Sequence, residues 1–133
     1  MTDVERATQF FSKDIYATDV TGIVIDAVSK GYAKCSLKIE DKHKNAVGAV
    51  MGGAIFTLAD FVFAVASNFD AESVTVTLVS QISYLSPVKG DILCGESRIV
   101  KDGRNNCFYE INITDNLGTN VAVVSVTGAH LKK

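Results

Sequence analysis

The sequence holds only two histidines, His43 and His130, three cysteines and a single proline. Two histidines so far apart give little from which to build a zinc site, and no metal or cofactor is expected. Cys35, Cys94 and Cys107 are an odd number without CxxC spacing. Each lies in an alternating apolar run, which predicts buried free thiols in a reducing compartment rather than disulfides. A strong charge of either sign is also missing. Thirteen Lys and Arg against fifteen Asp and Glu leave a net charge of −2, which gives nucleic-acid binding no electrostatic support. Residues Thr2 to Ser12 are polar and charged, so no signal peptide is expected there, and a cytoplasmic protein is the expectation. Low-complexity segments, repeats and linkers are absent. With 133 residues, 47% of them apolar, one domain spanning 1–133 is expected.

What is present is one long apolar stretch, Asn45 to Asn68, reading NAVGAVMGGAIFTLADFVFAVASN. From Gly53 onward its apolar residues cover every direction of a helix, so the helix is expected to be wrapped by other structure. Thr57, Asp60 and Ser67 share one narrow polar stripe with Gly53 and Ala64. Asp60 is the only charge between Gly53 and Asn68, and no cation lies nearby in sequence. A buried carboxylate either finds a partner or takes up a proton. Asp60 therefore pairs with a distant Lys or Arg or with backbone N–H groups, or it is held in a cleft for base or nucleophile work. Ala46 to Phe69 is long enough to span a membrane. An Asp near the centre costs about 2.5–3.5 kcal/mol on insertion scales, and the flanks lack an aromatic belt, so no membrane role is expected.

The rest of the chain reads as strands. Thr2 and Glu5 make a capping box for a short helix whose apolar face is Val4, Ala7, Phe10 and Phe11. Asp19 to Gly22 is read as a turn. Ile23–Ser29 and Tyr32–Glu40 are joined by Lys30-Gly31, and Asp41–Lys44 is read as a solvated loop. Ser73–Leu85 is a long strand, with Val74, Val76, Leu78, Ser80, Ile82 and Tyr84 facing one way, and Pro87 ends it. Asp91–Val100, Asn106–Thr114 and Thr119–Leu131 follow, separated by turns at Asp102–Asn105 and Asp115–Gly118. Short connections predict an antiparallel sheet of about six strands, curved around the central helix, in the α+β class. One small sheet with one helix is expected to dimerise, which would cover the helix's second side.

Asn45-x-x-Gly48-x-x-x-Gly52-Gly53, then Thr57-Leu58-Ala59-Asp60, and later Tyr84-Leu85-Ser86-Pro87 carry a resemblance over nearly the whole chain. The chain resembles hotdog-fold acyl-CoA thioesterases of the phenylacetic-acid-degradation (PaaI-like) type, within the 4-hydroxybenzoyl-CoA thioesterase superfamily. The resemblance implies an acyl-CoA substrate and a homodimer or a dimer of dimers, with the site at the interface. It implies Asp60 as general base or nucleophile and the Gly52 amide as donor to the thioester oxygen. Asn45 would position water or the acyl group, and Thr77 would help hold the water. Many relatives carry histidine where this chain has Met51, which bears on turnover and substrate choice.

The physical chemistry stands apart from the resemblance. Thioester attack builds negative charge on oxygen, and a helix N-terminus offers free N–H groups and a positive dipole end. Gly52 and Gly53 keep side chains out of a carbonyl's approach. A carboxylate two turns further along is expected to reach the carbon or its attacking water. The cations Lys89, Arg98, Lys101 and Arg104 read either as a solvated edge or as a mouth for coenzyme A phosphates. His43 and His130 are given no catalytic role, His130 being placed on the surface near the chain end. Besides hydrolysis, a non-hydrolytic acyl-CoA binder stays open because of Met51. A dehydratase of the same fold is disfavoured for want of a histidine in the central stretch. Phe56, Phe61 and Phe63 either line an acyl tunnel or fill the core.

Overall fold

A computed structural model describes residues 1–132. The order is α1 (Asp3–Phe11), β1 (Val24–Ser29), β2 (Tyr32–Lys38), α2 (Gly52–Asn68), β3 (Thr75–Tyr84), β4 (Ile92–Asp102), β5 (Asn106–Asp115) and β6 (Asn120–His130). The expected elements are all present, with bounds moved by one or two residues at most ends. Between α1 and β1 the chain is not a simple turn but a wide π-helical turn, Tyr16–Thr21, closed by Gly22 at φ 92°. The six strands form one antiparallel sheet in the order β1-β2-β4-β5-β6-β3. The long helix lies against this curved sheet, which is the hotdog arrangement. β3 is therefore an edge strand, paired only with β6.

Burial of α2 is what holds the layers together. Leu58, Ala59, Val62 and Val65 are fully buried, as are Cys35, Leu37, Leu93, Ile111, Ile113 and Val124 on the sheet. The helix comes very close at Gly95, where an added Cβ would stand 2.9 Å from Val62 and 3.1 Å from Ile113. Only glycine permits that approach. Phe63 meets Tyr109 edge-to-face at 5.2 Å, so Phe63 is core rather than tunnel wall. The thiols are free; Cys35 and Cys107 are buried and Cys94 is half-buried.

The capping box of α1 forms as the pattern predicts, with Thr2 and Glu5 bonding each other's backbone at 3.1 Å. Ala7 and Phe11 are buried and Phe11 packs edge-to-face on Phe61, but Phe10 is exposed. Arg6 forks onto Asp70 at 3.0 Å twice and lies over Phe69, tying α1 to the end of α2.

Three readings need correction. The faces of β3 do not alternate without a break, because the register with β6 slips between Thr77 and Val79. Thr75 and Thr77 lie opposite His130 and Gly128; beyond the bulge, Ser80, Ile82 and Tyr84 lie opposite Val126, Val124 and Ala122. All of these face the helix side, so one extra residue at Leu78 puts Thr77 and Tyr84 on one face where strict alternation would separate them. His43 is not in a solvated loop. It is buried, its Nδ1 accepts from Glu40 N–H at 3.0 Å, and Nε2 lies 2.7 Å from the Thr21 carbonyl. An accepting Nδ1 leaves Nε2 as the donor, so the imidazole pins the π turn to the loop before α2. His130 is not a free surface group either: it bridges Thr75 Oγ1 and Asp102 Oδ1, both at 2.7 Å.

Candidate active site

The start of α2 is set by Met51, whose extended backbone (ψ 137°) precedes the first helical residue, Gly52. Met51 donates its N–H to the His43 carbonyl at 2.8 Å but supplies no side-chain cap. The N–H groups of Gly52 and Gly53 sit in the first turn, where a helix has no acceptor for them. The loop before them is stiff. Asn45 Oδ1 accepts from Val47 N–H at 3.1 Å and Ala49 N–H at 3.0 Å, while Asn45 N–H donates to the Ala49 carbonyl. Gly48, at φ 86°, allows the reversal. Asn45 thus shapes the loop with one side-chain atom and keeps Nδ2 without a partner among the described residues.

Two concavities flank this helix end. One, of about 590 Å3, is bounded by Lys44, Val50, Gly52, Ile55, Tyr84 and Pro87. The other, of about 700 Å3, runs along the stripe Gly53, Phe56, Thr57, Asp60 and Ala64, and is closed by Asp14, Tyr16 and Tyr84. The helix is therefore not wrapped all round: this stripe stays open in the single chain. Ser67 does not belong to it, being buried and donating to the Phe63 carbonyl at 2.7 Å. Thr57 Oγ1 donates to the Gly53 carbonyl at 2.8 Å.

Asp60 is exposed in the single chain, and no described cation or N–H group pairs with it. The apolar walls of the groove still desolvate it, and that pushes its carboxyl above the ordinary range; the like charge of Asp14 adds to the rise. Phe56 and Phe61 line the same groove, next to the carboxylate.

Distance along the helix constrains how the expected pair could work together. Gly52 and Asp60 are eight residues apart, an axial rise of about 12 Å. That separation is long for one helix to bring its first amide and this carboxylate directly against the same thioester carbon.

The remaining residues are placed as follows. Thr77 is exposed on the edge strand, on the helix side of the sheet, and lines neither concavity. Arg98 faces Glu110 at 3.4 Å across β4 and β5. Lys101 lies further along β4, and Arg104 lines a third hollow with Ser67, Thr75 and His130. That hollow is at the C-terminal end of α2, about 25 Å along a 17-residue helix from Gly52. Within one chain the three cations and the glycine pair are at opposite ends. Lys89 departs from that group; its backbone N–H donates to Asp115, beside Gly90 at the N-terminal concavity. Asp102, Cys107 and His130 bring possible ligand atoms within 4.8 Å of one another, but both His130 nitrogens already have protein partners. Sequence reasoning missed Asp14, Tyr16 and Lys44. It placed Tyr84 in a segment of resemblance but gave it no role. The bulge in β3 carries no sequence signal that would have shown Tyr84 facing the helix start.

Residues 47–127 match the model of the thioesterase superfamily. The chain belongs to that family. A putative esterase of Archaeoglobus fulgidus is 27% identical over 124 residues, 93% of this chain and 80% of that protein. Human acyl-coenzyme A thioesterase 13 is 29% identical over 97 residues, covering 70% of this chain and 68% of the human protein. Among solved structures, smu.793 from Streptococcus mutans, bound to acetyl CoA, is 32% identical, covers 84% of this chain and 90% of its own, and superposes with a TM-score of 0.77. Family and fold together make the chain a PaaI-like hotdog thioesterase, with thioester hydrolysis as the chemistry at family level. No helix among the described residues is long and apolar enough to cross a membrane.

Proposed function

We propose that this protein hydrolyses acyl-CoA thioesters at a site shared between two copies of the chain. The observation that carries the reading is the pair of features on α2: a glycine N-terminus with free amides, and an unpaired carboxylate with a raised proton affinity in an apolar groove. The acetyl CoA bound to the Streptococcus mutans relative supports the substrate class. The edge strand β3 exposes Val76, Leu78 and Val79, and the α2 stripe is open. Pairing two β3 edges extends the sheet and covers both stripes. It also brings Asp60 of one copy towards the Gly52 end of the other.

In that arrangement Asp60 takes a proton from water while the oxygen attacks the thioester carbon; direct attack by the carboxylate is the alternative. The carbonyl oxygen becomes negative, and the Gly52 amide, helped by the helix dipole, accepts that charge. The C–S bond then breaks, coenzyme A leaves as the thiolate and takes up a proton, and the free acid remains. Asn45 Nδ2 and Thr77 Oγ1 are assigned to holding the water, Gly53 and Met51 to bordering the reacting carbonyl. Phe56 and Phe61 accept an apolar acyl group. Arg98, Lys101 and Arg104 serve coenzyme A phosphates only if a second copy brings them to the opposite helix end.

The test is an acyl-CoA panel, read by thiol release, with wild type and Asp60→Asn. Turnover by wild type with a loss of a hundredfold or more in the variant is the expected result. Full activity in Asp60→Asn, or none in wild type on any acyl-CoA, overturns the reading. A binding-only role is favoured by one feature, the Met51 side chain that caps nothing. Calorimetry showing tight acyl-CoA binding by a wild type without turnover would select it.

A further inference from the structure

Tyr84 has no part in the scheme above, yet its side chain supplies the three atoms nearest to where a Cβ at Gly52 would stand. Its hydroxyl donates to the Gly52 carbonyl at 2.9 Å. Its ring lies so near that a Cβ at Gly52 would stand 2.8 Å from Oη and 3.0 Å from Cζ. It borders both concavities, so it stands at the wall between them. The β3 bulge is what turns it to this side.

The Gly52 carbonyl and the Gly53 N–H are two ends of one peptide group. A hydrogen bond accepted at the oxygen draws charge along the amide and makes the N–H a stronger donor. That N–H is in the first helical turn, without an intrahelical acceptor, and Gly53 lines the Asp60 groove. The helix also lacks a side-chain cap, so nothing from Met51 competes for it or fixes its plane.

We infer that Tyr84 is a positioning residue for the oxyanion donor: its hydroxyl fixes the Gly52–Gly53 peptide plane and strengthens the Gly53 N–H, which shares the thioester oxygen with the Gly52 amide. The inference rests on the thioesterase reading above, and it moves part of the oxyanion contact from Gly52 to Gly53. A side chain at residue 52 would crowd the Tyr84 ring, so glycine there leaves this contact undisturbed.

Tyr84→Phe keeps the ring and removes the donor. Thiol release from acyl-CoA should show kcat lowered about tenfold with KM within about twofold, since the lost bond acts on developing charge rather than on the bound substrate. Fluorotyrosine at position 84, a stronger donor while still protonated, should raise kcat above wild type. A purely structural tyrosine would not give that ordering. In the same protein labelled with 15N, the Gly53 amide proton should move upfield in Tyr84→Phe. Asp60→Asn is run alongside. If it is inactive while Tyr84→Phe keeps wild-type kcat, the Tyr84 inference fails and the thioesterase reading stands. If Asp60→Asn is fully active or wild type is inert, the thioesterase reading fails, and the positioning role given to Tyr84 falls with it. An unmoved Gly53 amide overturns the peptide coupling whatever the turnover.

Discussion

Gly52 and Gly53 are neighbours of the same type on the same helix, yet the structure predicts opposite consequences for alanine at each. At Gly52 the new methyl meets the Tyr84 Oη at 2.8 Å and Cζ at 3.0 Å. Either the ring stays and the contact is overpacked, at about 1–3 kcal/mol, or it swings away and the bond to the Gly52 carbonyl is lost, at about 0.5–1.5 kcal/mol. Against this, replacing glycine by alanine at a helical φ gains about 0.4–1 kcal/mol through the unfolded chain. The cheaper of the two routes applies, so the balance is a loss of about 0.3 kcal/mol, or about 1–2 °C in melting temperature for a domain of this size. At Gly53 the nearest neighbour of a Cβ is Met51 Cε at 4.0 Å, so nothing opposes the gain and the protein should melt higher than wild type. Differential scanning calorimetry on the two variants measures the split. Adding Tyr84→Ala should abolish it, because alanine at 52 then gains what alanine at 53 gains; a double-mutant cycle reads the coupling as about 1 kcal/mol. Equal melting temperatures for the two single variants, or a Gly52→Ala protein at or above wild type, would refute the packing on which the Tyr84 contact is argued. Both variants should lose turnover, Gly52→Ala by displacing the donor peptide and Gly53→Ala by placing a methyl in the groove.

Asp60→Asn should raise the melting temperature at neutral pH. The carboxyl's folded proton affinity is raised, so its ionised form opposes folding once pH passes through that raised value, and the gain in the variant should vanish below the ordinary carboxylate range. Thermal scans across pH check this; no gain at neutral pH refutes it. Asp14→Asn removes the like charge beside Asp60, so the acidic limb of the kcat/KM profile should move to lower pH; an unmoved limb shows that the two carboxylates do not communicate. Asp115 is buried, which would raise its proton affinity, but backbone N–H bonds from Lys89, Thr119, Gly90 and Leu117 hold it well below the usual range. Its contribution is present above the ordinary carboxylate pKa and lost as pH falls through the depressed one, so Asp115→Ala should melt lower at neutral pH and converge with wild type in strong acid.

The sequence by itself determined the order of elements, because each pattern is local. The period-2 run Ala33, Cys35, Leu37 reads as a half-buried strand, and the apolar run from Ile55 to Ala66 reads as a largely covered helix. The glycine pair and Asp60 were legible for the same reason: they are conspicuous against the apolar run that contains them. Tertiary structure decided what lies beside them. The Thr77–Val79 bulge, which no propensity marks, turned Tyr84 towards Gly52; the segment after α1, leading into the π turn, brought Asp14 and Tyr16 to the groove; and buried His43 locked the loop before the helix. The rise of a straight helix sets Gly52 and Asp60 about 12 Å apart along one chain, which is why the proposed site draws on two copies. A linear pattern records which residues share a face, and only three-dimensional register records which faces meet.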